Sequence, residues 1–126
     1  YESCNLGSIN LVKMVRRGAR GPEIDWEKLG ETVKLGVRFL DDVIDVNHFP
    51  IPEIEKITRA NRKIGLGVMG FAHFLILMGL PYGSDGSVRI AEEVMAYVTQ
   101  QAREASRQER NSPSGSALWS SLALAT

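Results

Sequence analysis

The sequence predicts a mainly α-helical chain of three to four helices, with at most one short strand near its N-terminus. Three observations carry that prediction. Trp26, Leu29, Val33, Val37, Leu40 and Ile44 recur at three- and four-residue steps, which is one stripe of a long helix. Val88, Ala91, Met95 (or Val94), Val98, Ala102 and Ala105 draw a second stripe of the same kind. Only residues 5–15, with Ile9, Leu11, Val12 and Val15, alternate loosely, and that pattern suits a short buried strand or the start of a helix.

Taken in order, the segments have recognisable ends. Arg16 to Pro22 is charged and carries Gly18 and Gly21, so it reads as a loop. Asp25 then suits an N-cap, because its carboxylate can accept from the free amides of a first helical turn. Pro50 and Pro52 stop the long helix, since proline has no amide hydrogen and restrains the residue before it. Pro52 can itself open a shorter helix with Ile54 and Ile57 inward. Arg59 to Lys63 is strongly basic and is expected to be exposed. Gly65 to Gly70 reads as a glycine-rich lead-in to an apolar helix that closes at Gly79-Leu80-Pro81. Tyr82 to Gly86 is a turn, after which Ser84 or Asp85 caps the last helix. From Asn111 the composition shifts to Ser, Pro, Gly, Ala and Leu with almost no charge. The division expected is therefore 1–110 as the organised unit and 111–126 as a poorly ordered tail, docked at most through Trp119.

Composition removes several classes of function. With 126 residues there is room for one domain. Fifteen basic and fifteen acidic side chains are interspersed, leaving no electrostatic footprint for nucleic acid or an anionic membrane. The longest apolar run, Val68 to Leu80, is about 13 residues and contains His73, short of the roughly 20 that span a bilayer. A single cysteine forbids an internal disulfide framework and points to a reducing, cytoplasmic setting. The chain opens on tyrosine in mid-phrase, so a piece of a longer polypeptide is expected.

Four groups invite chemistry. Gly65-x-Gly67-x-x-Gly70 has the letters of a dinucleotide fingerprint, but that motif needs a buried strand before it, and Thr58 to Lys63 is polar. Close packing at small residues is the expectation there. Asp41, Asp45 and His48 fall on one helix face, and Asp45-x-x-His48 has a di-metal spacing, yet no second such pair exists. A solvated face is expected instead, with no metal. His73 is expected to be partly buried with one hydrogen bond. Cys4 is either a small buried hydrophobe or a reactive thiol, and its polar neighbours leave both open.

The words of the sequence supply what spacing does not. Tyr1-Glu2-Ser3-Cys4-Asn5-Leu6-Gly7-Ser8-Ile9-Asn10-Leu11 resembles the segment after the active-site loop of the ribonucleotide reductase catalytic (large) subunit. Asp41-Asp42-Val43-Ile44-Asp45 with Phe49-Pro50-Ile51-Pro52 resembles the family's next helix and its exit. Arg62 to Ala72, then Leu80-Pro81-Tyr82, resembles a third line of the family in the right order. The likeness covers residues 1–110 and is greatest to the adenosylcobalamin-dependent (class II) branch.

The resemblance implies a fold and a role. The chain would be a helical fragment of a ten-stranded α/β barrel, supplying one strand over residues 4–10 and helices outside it. The parent enzyme would reduce ribonucleotides to deoxyribonucleotides for DNA replication by thiyl-radical chemistry. Cys4 would be one of its two reducing thiols, the disulfide partner lying far upstream, outside this chain. The radical cysteine and the substrate phosphate loop would also lie outside it. Adenosylcobalamin would serve the enzyme without binding this piece, and a thioredoxin-like reductant would recycle the thiols. The isolated chain would be inactive and would self-associate through its exposed strand edge or through its helix faces. The rival reading is a helical interaction module whose cysteine is structural and therefore buried.

Overall fold

The computed structural model describes residues 3–111 and 122–123. Among them are β1 (Asn5–Asn10), a 3-10 turn (Leu11–Met14), β2 (Val15–Gly18), β3 (Gly21–Ile24), α1 (Trp26–Val46) and α2 (Pro52–Asn61). β4 (Ile64–Met69), α3 (Phe71–Met78), α4 (Asp85–Asn111) and β5 (Leu122–Ala123) complete the order. The chain is mainly α, as its stripes predict. The expected limit of one strand is not met.

The long helix forms where its pattern places it. The Asp25 side chain accepts from the Lys28 amide at 3.1 Å, and Leu29, Val33, Val37, Leu40 and Ile44 are buried along one side. That side lies on β1 and β4 and reaches α4. α4 answers with Val94, Val98, Ala102 and Ala105, all buried. Val88, assigned to the same stripe, is instead exposed, because the turn before it brings Ser87 inward. The Ser84 hydroxyl caps this helix by accepting from the Ser87 amide at 3.2 Å.

The main correction concerns residues 64–69. They form a strand, not a helix lead-in, and this strand pairs in parallel with β1 from Asn5↔Ile64 to Asn10↔Met69. β1, α1, α2 and β4 thus make a β-α-β crossover with α1 covering one face of the sheet. Glycine is poor in strands, which hid this one. Here Ile64 and Leu66 pack beneath α1, fully buried, and that packing outweighs local propensity. The sheet order is β1-β4-β5, with Leu122 paired to Ile64. The rest of the expected tail, Trp119 included, lies outside the described residues.

A second correction concerns residues 15–24. They form an antiparallel hairpin, Val15↔Ile24 to Gly18↔Gly21, although Arg16 to Pro22 is expected to be a loop. Arg16 and Glu23 pair across it at 2.8 Å on its exposed face.

Candidate functional site

β1 alternates about the sheet. Asn5, Gly7 and Ile9 face α1, with a Gly7 side-chain position directly against Leu40, while Leu6 and Ser8 are exposed on the other face. Cys4 stands immediately ahead of the strand and is exposed and free. Among the described residues its thiol donates to the neighbouring Asn5 carbonyl, at 3.4 Å. The rival reading of a structural cysteine expects burial, whereas Cys4 is exposed in this chain.

Both neighbours of Cys4 are tied down. The Ser3 and Thr58 hydroxyls share a hydrogen bond at 3.0 Å, linking the strand's start to α2. The Asn5 side-chain amide donates to the Leu40 carbonyl at 3.2 Å, linking it to α1. Cys4 therefore sits between two polar anchors on two different helices.

Behind those anchors lies a cluster that the sequence did not announce. Arg62, expected in an exposed basic run, is buried, its side chain 7% exposed. Its Nε donates to Asp41 Oδ1 at 2.7 Å, and its two terminal nitrogens donate to the Asp45 carboxylate at 2.8 and 2.9 Å. A further bond reaches the Asp41 carbonyl at 3.2 Å. Asp41 and Asp45, expected on a solvated face, are thus an arginine receptor one helical turn apart. The planar guanidinium suits two carboxylates in this way, where an ammonium would not. Hydrogen bonds from Arg62 hold the Asp45 carboxyl below the usual carboxylate range, helped by the charges of Arg62 and Arg59 and opposed by burial. The Arg62 guanidinium is in turn made harder to deprotonate, first by the Asp45 bonds.

The remaining candidates are dispersed. His48 is exposed beyond the end of α1, and His73 is exposed on α3 rather than partly buried. Among the described residues, no group of three His, Cys, Asp or Glu side chains is arranged to hold a metal ion. The glycine motif does follow the order strand then helix, contrary to expectation. Its first two glycines, however, lie inside the β1–β4 ladder and not in the turn that would close on a pyrophosphate. Only Gly70, at φ 76°, serves the turn, as the first residue before α3.

A family model described as "Ribonucleotide reductase, barrel domain" matches residues 1–110. The chain belongs to that family. Among reductase relatives, it is 52% identical over 107 residues to the vitamin B12-dependent ribonucleoside-diphosphate reductase of Mycobacterium tuberculosis, covering 85% of this chain and 15% of the relative. It is 53% identical over 107 residues to the enzyme of the same name from Thermoplasma acidophilum, covering 85% and 14%. The ribonucleoside-diphosphate reductase subunit alpha of Chlamydia pneumoniae is 42% identical over 97 residues, covering 75% and 9%. Identity to the two vitamin B12-dependent reductases is thus the higher. The chain spans about one-seventh of their length. Among the described residues, no helix of this reductase segment is long and apolar enough to cross a membrane.

Proposed function

We propose that this chain is a working part of a ribonucleotide reductase and that Cys4 is one of its two reducing thiols. The observation that supports this most is the setting of Cys4. The thiol is exposed immediately ahead of a strand, with Ser3 and Asn5 anchored on either side.

The chemistry asks for such a placement. Replacing the ribose 2′-hydroxyl by hydrogen is a two-electron reduction. Two thiols supply the electrons and two hydrogens, the hydroxyl departs as water, and the sulfurs join as a disulfide. That bond forms only when the two cysteines approach with their α-carbons within about 4.4–6.8 Å of each other. A thiol on a fixed strand end meets this demand better than one on a free loop. The partner thiol, and the cysteine whose thiyl radical abstracts hydrogen from ribose C3′, lie outside these 126 residues, since Cys4 is the sole cysteine. A dithiol reductant of the thioredoxin type then restores both thiols, which suits a reducing cytoplasm.

Adenosylcobalamin is the cofactor implied by the branch. The described residues do not fit it: the grooves are open, and His48 and His73 stand exposed on separate segments. The role assigned to Cys4 does not require the cofactor to touch this segment.

Two experiments test the proposal. The isolated chain, given a ribonucleotide, adenosylcobalamin and a dithiol, yields no deoxyribonucleotide. Grafted into the Mycobacterium tuberculosis enzyme in place of the matching 107 residues, it supports repeated turnover, which Cys4→Ser abolishes. Turnover by the isolated chain, or by the Cys4→Ser graft, overturns it.

A further inference from the structure

We infer that Arg62, Asp41 and Asp45 are positioning residues for Cys4, fixing the two anchors between which the thiol is held. This rests on the redox reading of Cys4. The Asn5 side chain is held by the carbonyl of Leu40, and the next residue, Asp41, takes the Arg62 guanidinium. The Ser3 hydroxyl is held by Thr58, whose own carbonyl accepts the Arg62 backbone amide at 2.8 Å. Each anchor is therefore one step from the same arginine.

The backbone of Arg62 adds a second, independent observation. It adopts the left-handed conformation, φ 45° and ψ 48°, and is the single non-glycine residue with positive φ among the described residues. Glycine is the usual choice at such a helix end. An arginine there keeps an unfavourable backbone because its side chain is wanted. What it gains is directional: the guanidinium satisfies Asp41 and Asp45 at once, locking the C-terminal halves of α1 and α2 together. Apolar packing would join the helices equally well but would leave their mutual slide free by comparison. A slide would move the Leu40 carbonyl relative to the Thr58 hydroxyl, and the head of β1 with them.

The single cysteine permits the test without further substitution. A nitroxide attached to Cys4 in the full 126-residue chain reports the motion of its backbone by electron spin resonance. Thr58→Val removes the hydroxyl but keeps the buried shape, and the mobile fraction of the label should rise about two- to tenfold, the factor that one neutral hydrogen bond supplies. Thr58→Ser should restore the ordered spectrum. Arg62→Lys, which keeps the charge and loses the fork, should raise mobility as Thr58→Val does, with helical content unchanged by circular dichroism. Equal spectra for the parent chain, Thr58→Val and Arg62→Lys would overturn the inference. If Arg62→Lys fails to fold, the Thr58 pair decides alone: a rise rescued by serine supports the inference, and no rise overturns it. The spectrum reads position whatever the thiol does, whereas turnover of the Cys4→Ser graft reads the chemistry, so failure of one is distinct from failure of the other.

Discussion

Arg62 Nε lies 2.7 Å from Asp41 Oδ1, with the two side chains only 7% and 10% exposed. A buried pair of this kind adds little over well-packed apolar residues, but breaking it by removing one partner leaves a bare charge. Arg62→Met should therefore destabilise the chain by about 3–5 kcal/mol. The double variant Arg62→Met with Asp41→Leu should recover most of that loss. Urea unfolding of the two variants is the check, and a double variant no more stable than the single one would contradict this account.

Acid should loosen the same cluster. The Asp45 carboxyl ionises more readily in the folded chain than its ordinary value of 3.8, first because of its hydrogen bonds to Arg62. A folded value below the unfolded one stabilises the chain fully above the unfolded value. That contribution is lost as pH falls through the depressed folded value. The urea midpoint should accordingly hold steady down to about pH 5 and decline below about pH 4. Asp45→Asn should make the decline shallower, though only modestly, because this carboxylate is half exposed. An unchanged slope would contradict the assignment.

α1 and α4 approach each other tightly at Gly30. A β-carbon there would stand 2.7 Å from the Tyr97 hydroxyl, which donates to the Trp26 carbonyl at 2.9 Å. The Trp26 and Tyr97 rings also meet edge to face at 5.0 Å. Gly30→Ala should cost about 1–3 kcal/mol through overpacking, despite alanine's better helix propensity. Adding Tyr97→Phe removes the clashing oxygen, so the double variant should lose less than the sum of the two. Strict additivity in thermal or urea unfolding would rule out this contact as the cause.

Beside β1 runs an open groove of roughly 440 Å³, lined by Leu35, Phe39, Leu40 and Leu66 among others. Leu6, Leu35 and Phe39 are 75%, 68% and 64% exposed, and among the described residues β1 is an edge of its sheet. Unpaired edges next to apolar surface invite association. The isolated chain should therefore self-associate in sedimentation, and Leu35→Lys with Phe39→Lys should shift it toward monomer. A clean monomer at moderate concentration would count against this.

Legibility in the sequence followed the range of the forces involved. α1 was plain because its cap, its stripe and its proline stop are all local, whereas β1 was left open by its pattern and placed at 4–10 by the family likeness, within a residue of its start at Asn5. β4 was misread since Gly65 and Gly67 argue against a strand, and only pairing with β1 some 60 residues earlier supports it. Arg62 was misplaced for a similar reason: its burial depends on acids 21 and 17 positions upstream. The paired acids did carry a signal. Asp41 and Asp45 on one helical face ask for a cation, and Arg62 of the chain itself supplies one. Cys4 was singled out by the likeness of words, and its anchors, Ser3 to Thr58 and Asn5 to Leu40, became visible only in three dimensions.

The most direct measurement concerns the sulfur of Cys4. The segment is grafted into the Mycobacterium tuberculosis reductase, mixed with ribonucleotide in the absence of any external reductant, quenched and mapped by peptide mass spectrometry. Cys4 is predicted to appear in a disulfide with one other cysteine of the enzyme, in an amount equal to the deoxyribonucleotide formed. Product formation with Cys4 still a free thiol would contradict the account.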